Sequence, residues 1–278
     1  VGGPSSIKVL GAIPNFARDR TEFCDTGFVF FTNYTIANDP VVSSVWNFDD
    51  GSTSTERDPV HYFNSPDRYE VSLNVTTQAG CSSSLTDTIR VYRTPDPSIN
   101  SLDVACINTP ILFNGNLAFA DTAITWKWDL GNGKNSSVQD VSSVYSELGT
   151  YKISLEAANR FGCKSFDTKD VVVAPLPVIT MGPDPVIPVG TGVDLPVTYS
   201  DNVRLYNWNP ANTLSCNNCP IPYANPKFTT TYKVNVTDSN GCRTNNEITV
   251  RVVCNEKNYF VPNTFTPNGD GVNDVFYP

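Results

Sequence analysis

VWNFDDG at residues 45–51 returns as KWDLGNG at residues 127–133, and that recurrence decides the fold. Trp46 to Trp128 is a step of 82 residues. The same step links Cys24 to Cys106, Phe31 to Phe113, Gly51 to Gly133, Tyr69 to Tyr151, Leu73 to Leu155 and Cys81 to Cys163. A register held over that length without a gap identifies tandem copies of one folding unit. A third, looser copy follows: Trp208, Tyr232 and Cys242 stand 80, 81 and 79 residues after their counterparts in the second copy.

Each copy reads as short strands. FVFFTN and PILFNG are apolar runs, while YEVSLNV, YKISLEA and YKVNVT alternate with the period of 2 that marks a half-buried strand. TDTIRVY, DTKDVVVA and NEITVRVV close the three units, and no window carries helical periodicity. Roughly 80 residues holding about seven short strands predict an all-β fold of tandem immunoglobulin-like β-sandwiches in an elongated array. The tryptophan ahead of each Asp/Gly turn is the expected core anchor. Tyr69, Tyr151 and Tyr232 stand where a tyrosine corner would form. Proline-rich joints, RTPDP at 93–97 and APLPV at 174–178, favour extended connections. The expected domains are therefore 1–94, 95–175 and 176–254, with 255–278 beginning a fourth.

Composition narrows the function. Of 278 residues 17% are charged and 11% aromatic, with 21 Pro and 17 Gly, a turn-rich β composition too aromatic for disorder. A net charge of −9 repels phosphate backbones, so no nucleic-acid partner is expected. No apolar run approaches the roughly 20 residues of a membrane helix. No signal peptide opens the chain, and Val1 at its start is expected of a mature fragment. Eight cysteines beside one histidine and one methionine point to disulfides and an extracytoplasmic compartment.

Catalytic chemistry has little to stand on. A Ser-His-Asp triad would depend on His61, in DPVHYF, and no G-x-S-x-G elbow exists, so a packing or surface histidine is expected. Asp49 and Asp50 could pair as glycosidase carboxylates. Gly131 and Asn132 replace them in the second copy, which argues for turn chemistry instead. No phosphate loop or dinucleotide fingerprint is present. Cys216 and Cys219 form a C-x-x-C with no second pair and no neighbouring histidine, so a local bridge is expected rather than zinc or redox chemistry.

The other six cysteines admit two pairings. Within copies, Cys24–Cys81 and Cys106–Cys163 would each close a loop worth roughly 4 kcal/mol in the chain-entropy account. Cys24 precedes the second-strand run and Cys81 follows the sixth, which runs the same way. They would then stand about 20–25 Å apart, against the roughly 7 Å between Cα atoms that a bridge requires. Between copies, Cys24–Cys163 and Cys106–Cys242 obey the same repeat and explain why the third copy keeps Cys242 but lacks a counterpart of Cys24. Cys81 would then face a unit upstream, and Cys254 would be left over or pair downstream. Both pairings stand at this point.

WNFDDG and WKWDLGNG, each followed about 20 residues on by DRYEVSLNV or GTYKISLEA, resemble the PKD domain, whose signature is W-D-F-G-D-G and a later G-x-Y-x-V strand. Asn47, Asp49, Leu130 and Asn132 depart from that pattern while keeping turn chemistry. The third unit resembles the Ig-like repeat that precedes the secretion signal of giant surface proteins of Bacteroidetes. FVPNTFTPNGDGVNDVFYP, at the end of the chain, is similar to the first strands of the type B C-terminal signal domain of the type IX secretion system, through Pro262, Asn263, Phe265, Pro267, Asn268, Gly269, Asp270, Gly271, Asn273 and Asp274. That domain normally continues further, so the chain is expected to be truncated or ordered only this far. Asn268, Asp270, Asn273 and Asp274 offer oxygen ligands in a glycine-rich turn, so calcium is the one cofactor considered. Thr266 stands where an EF-hand has its acidic first ligand, and β-turn caps are the simpler account.

The resemblance implies a non-enzymatic stalk and export region of a gliding-motility cell-surface adhesin, outside the outer membrane. Implied partners are the type IX machinery with its outer-membrane shuttle or anchor proteins, and a surface or polysaccharide bound by upstream regions. The alternative is an accessory region of a secreted protease or polysaccharide hydrolase whose catalytic domain lies upstream. A carbohydrate-binding module would show exposed aromatics on one sheet face, and Trp126 shares the inward parity of Trp128.

Overall fold

The computed structural model describes residues 11–119 and 124–254, and every regular element among them is a strand. The chain divides into two compact units. One comprises Val1–Asp103, Ile111–Ser143 and Thr150–Val171, the other Val104–Pro110, Val144–Gly149 and Val172–Pro278.

The first copy is a sandwich of two sheets. One runs Glu22–Cys24, Ser82–Tyr92, Arg68–Thr77, Val41–Asn47, Thr53–Ser54 in spatial order; the other runs Phe16–Arg18, Gly27–Asn33, Val60–Phe63. Glu22–Cys24 pairs in parallel with the end of Ser82–Tyr92, and the remaining partners are antiparallel. Alternation does the packing: in Arg68–Thr77 every second residue from Tyr69 to Val75 faces inward and is buried. These side chains meet Phe16, Val29, Phe31 and Phe63 from the facing sheet around Trp46, which is fully buried. Phe16 lies edge-on to it at 5.0 Å and Phe31 tilted at 5.4 Å between centroids, while Phe48 lies parallel at 6.5 Å.

The second copy repeats this order with Val104–Cys106, Lys164–Ala174, Gly149–Ala158, Thr125–Asp129 and Asn135–Ser136 in one sheet, and Pro97–Asn100, Ile111–Leu117 and Asp140–Ser143 in the other. In the third copy Val186–Pro188, Arg243–Val253, Thr230–Asp238 and Val203–Asn209 form the main sheet, packed with Leu195 and Val197 around Trp208. The closing strands begin three or four residues before the apolar pattern starts. Ser82 through Thr86 already pair across the hairpin with Thr76 through Ser72, and backbone pairing does not require apolar side chains.

The anchoring tryptophans Trp46, Trp128 and Trp208 do the same thing. Each indole N–H donates to a backbone carbonyl: Trp46 to Glu56 at 3.0 Å, Trp128 to Val138 at 2.9 Å, Trp208 to Cys219 at 3.1 Å. A buried indole thus keeps its one donor satisfied while filling the core. The tyrosines diverge. The Tyr69 hydroxyl donates to the carbonyl of Ser65 at 2.9 Å, as a tyrosine corner requires, whereas the Tyr232 hydroxyl bonds the Thr213 hydroxyl.

Candidate functional site

Three homologous hairpins carry the feature most distinctive of this chain: TQAGC at 77–81, NRFGC at 159–163 and DSNGC at 238–242. Each needs a left-handed residue before the cysteine, and glycine supplies it, with φ of +80° at Gly80, +85° at Gly162 and +82° at Gly241. The first residue of each hairpin donates its amide to the cysteine carbonyl, at 3.0, 2.9 and 3.0 Å in chain order. In the second and third copies its side chain adds more. Asn159 Oδ1 accepts from the amides of Phe161 and Cys163, and Asp238 Oδ1 from those of Asn240 and Cys242.

The opposite pole of each of the first two sandwiches holds a second cysteine. Cys24 is paired in register with Tyr92 at the far end of the strand that Cys81 precedes. Ten residue steps separate those ends, about 33 Å at the rise of an extended strand. Cys106, in register with Ala174, repeats the arrangement relative to Cys163. Pairing within a copy is therefore sterically closed. The structure joins Cys24 to Cys163, with Cα atoms 5.7 Å apart, and Cys106 to Cys242, 5.5 Å apart. Both cysteines of each bridge lie within one compact unit. Cys216 and Cys219 are bridged locally, next to the carbonyl that receives the Trp208 indole.

Around the first bridge, inside one unit, Tyr92 stacks on Phe161 with centroids 3.6 Å apart and planes 9° from parallel. Asn159 Nδ2 donates to the carbonyl of Arg93 at 3.0 Å, and the Ser165 hydroxyl to that of Pro95. The Arg93 guanidinium lies 4.5 Å from the centroid of Phe119. A cavity of about 320 Å³ opens among Tyr92, Arg93, Pro95, Phe119, Asn159 and Phe161. Around the second bridge Ile107 donates to the carbonyl of Ala174, and Asn202 Nδ2 to Asp238 Oδ2. Cys163 and Cys242 are buried, whereas Cys81 is an exposed free thiol, as is Cys254.

Asp49 and Asp50 are absorbed by a turn, and His61, on the strand Val60–Phe63, is bonded to it. Asp49, at φ +65°, accepts the amide of Glu70, and Gly131 takes the same backbone conformation at +69°. Asp50 receives the amide and hydroxyl of Ser52 and binds His61 Nε2 at 2.7 Å. His61 lies flat on Phe48, 4.0 Å between centroids. The step of 82 carries Asp50 and His61 onto Asn132 and Ser143, where the Asn132 amide donates to the Ser143 hydroxyl at 3.1 Å. One copy uses an ionisable pair and the next a neutral one for the same link, a substitution invisible to motif reading because neither pair resembles the other.

Burial pushes the Asp50 carboxyl up, but hydrogen bonds from Ser52 and the bond and charge of His61 outweigh it and hold the group below its ordinary 3.8. A depressed carboxylate contributes stability above its unfolded value and loses it as pH falls through the folded one. Thermal melts across about pH 5 to about pH 2 should therefore show a shallower decline for the double variant D50N/H61S, which carries the neutral pair, than for the parent. Equal declines would remove Asp50 from the acid response.

Among the described residues no group of three or more His, Cys, Asp or Glu is placed to hold a metal ion. The calcium candidates Asn268, Asp270, Asn273 and Asp274, and the closing motif from Pro262 to Asp274, lie outside the described residues. Trp126 is half-buried over Gly115, in keeping with its inward parity. A cluster of exposed aromatics on one sheet face stands instead in the first copy. Phe28, Phe30, Val60 and Tyr62 share the outer face of one sheet, with Phe28 and Tyr62 4.8 Å apart, an apolar patch of the kind that marks contact surfaces.

Comparison with known proteins bears on the first two copies. Residues 14–93 and residues 101–172 each match the family described as the PKD domain. A microbial collagenase of Vibrio alginolyticus is 44% identical over 57 residues, 20% of this chain and 7% of that protein. Collagenase ColA of Bacillus cereus is 29% identical over 105 residues, 38% of this chain and 11% of that protein. The chain thus spans a small fraction of the relatives it matches. Among solved structures, the PKD1 domain of Vibrio anguillarum Epp is 29% identical, covering 30% of this chain and 94% of that one at a TM-score of 0.26. The PKD1 domain of the Vibrio cholerae metalloprotease PrtV is 28% identical at a TM-score of 0.27, with coverage of 30% and 99%.

Proposed function

From a chain whose residues 14–93 and 101–172 are PKD domains in tandem, we propose that it serves as a non-enzymatic, disulfide-stapled stalk within a larger exported cell-surface protein. The observation that carries this reading is the pair of overlapping bridges, each tying one copy to the next. A spacer under tension needs neighbouring sandwiches that do not separate, and a covalent bond at each joint supplies that. Of the polar side chains weighed above, Asp49 and Asp50 are committed to a turn, and His61, on the strand Val60–Phe63, is bonded to Asp50.

The finer reading is a gliding-motility adhesin addressed to the type IX secretion system, supported by the resemblance of Pro262 through Asp274 to the opening of a type B signal domain. Residues 176–278, with the natural continuation, are fused to a periplasm-targeted fluorescent protein in a bacterium possessing that system. Fluorescence should reach the surface or medium and be lost when the machinery is deleted. An extended fusion retained in the periplasm contradicts the export address.

A second reading, an accessory region of a secreted protease, is favoured by the similarity to two collagenases. Sequencing the coding region ahead of residue 1 separates the two: a catalytic signature favours the accessory role, further repeats the stalk.

A further inference from the structure

We propose that the end of the first copy formed by Cys81, Ala79, Ile13 and Ile36 is a docking face for another sandwich of the same kind, whose cysteine at the position of Cys24 bonds covalently to Cys81. The inference rests on the stapled-repeat arrangement and extends it to a partner that the described residues do not contain.

Two precedents inside the chain support it. The hairpin that presents Cys81 has the glycine conformation and the closing hydrogen bond of those that present Cys163 and Cys242. At both of those positions the sulfur is bonded to the cysteine at the far pole of the preceding copy. The thiol of Cys81, alone of the three, is exposed and free.

The surroundings agree independently. Ala12 and Ile13 pair with Ala37 and Ile36, the Ser83 hydroxyl donates to the carbonyl of Ala12, and the Ala79 amide donates to Asp39. These contacts place Ile13 and Ile36 at the Cys81 end. Both are large aliphatics left about 70% exposed, at 71% and 70%. The step of 82 carries Ile13, Ile36, Ala79 and Ser83 onto Pro95, Ala118, Phe161 and Ser165. There Phe161 stacks on Tyr92, and Ser165 donates to Pro95. The position of Ala79 is thus the one that, in the second copy, meets Tyr92 at the far pole of the first.

Bond formation is a two-electron oxidation with a disulfide as oxidant. The Cys81 thiolate attacks oxidised glutathione and releases one glutathione. The partner cysteine then attacks the mixed disulfide and releases the second. Two protein thiols lose two electrons and two protons, and one glutathione disulfide becomes two thiols.

The test extends the full chain with a duplicate of residues 11–94 placed ahead of it, the duplicate's own counterpart of Cys81 changed to serine. After oxidation in a glutathione buffer, peptide mapping should find the duplicated Cys24 linked to Cys81, and alkylation of Cys81 should fall at least tenfold relative to a fusion whose duplicated Cys24 is serine. Equal alkylation of Cys81 in the two fusions overturns the proposal. An arm independent of the fusion's folding uses the unextended native chain. There Cys81 should form a mixed disulfide with glutathione within tenfold of the rate of a free cysteine, and reaction only after denaturation overturns the proposal.

Discussion

Removing both inter-copy bridges should more than double the length to which this chain can be pulled, while removing either alone should change it little. The reason is topological. The bridge from Cys24 spans 139 residues and that from Cys106 spans 136, and the second begins inside the first. A taut path from residue 1 runs to Cys24, crosses to Cys163, runs back to Cys106, crosses to Cys242 and continues to residue 278. That is about 116 residue steps, or about 40 nm fully extended. With only one bridge left the path is about 140 steps, near 48 nm, and with neither it is about 277 steps, near 95 nm. Either single loss therefore adds roughly 8 nm and the double loss roughly 55 nm.

Pairing within copies would behave otherwise. Cys24–Cys81 with Cys106–Cys163 would allow about 163 steps, near 56 nm, and each single loss would add roughly 20 nm independently of the other. Single-molecule pulling between terminal handles, on the parent, C163S, C242S and the double variant, distinguishes the two. Additive single-variant gains of about 20 nm would contradict the overlapping arrangement. Overlap makes the bridges redundant under load, which suits a stalk.

Trp46→Ala should destabilise the first copy by about 3–5 kcal/mol, the range for truncating a buried large aromatic. The indole is fully buried among Phe16, Phe31 and Phe48, and its loss also strands the carbonyl of Glu56 without its donor. For a sandwich of this size that corresponds to a fall of about 15 °C or more in its melting transition. Trp126→Ala, at a half-buried tryptophan over Gly115, is the matched control and should cost well under half as much. A W46A melt within about 2 °C of the parent would show that the indole does not anchor the core.

Much of this was legible in the sequence. The step of 82 located the sandwiches, the anchoring tryptophans and the cysteine positions, since repetition reports structure without requiring any motif to be understood. What it left undecided was the cysteine partner. The short parallel strand Glu22–Cys24, which sets Cys24 beside Tyr92 and far from Cys81, has too few residues for a periodic pattern. The stacking of Tyr92 on Phe161 was equally hidden, because neither neighbouring copy conserves the aromatic at position 161: Ala79 and Asn240 stand there. The Asp50–His61 link could have been found by applying the step to both residues, since Asn132 and Ser143 are complementary partners in their own right.

The most direct test is non-reducing proteolysis of the native chain with thiols blocked at low pH, followed by mass spectrometry of the linked peptides. Peptides joining Cys24 to Cys163 and Cys106 to Cys242, with Cys81 recovered as a free alkylated thiol, are the predicted result. A peptide joining Cys24 to Cys81 would contradict the stapled arrangement and the function built on it.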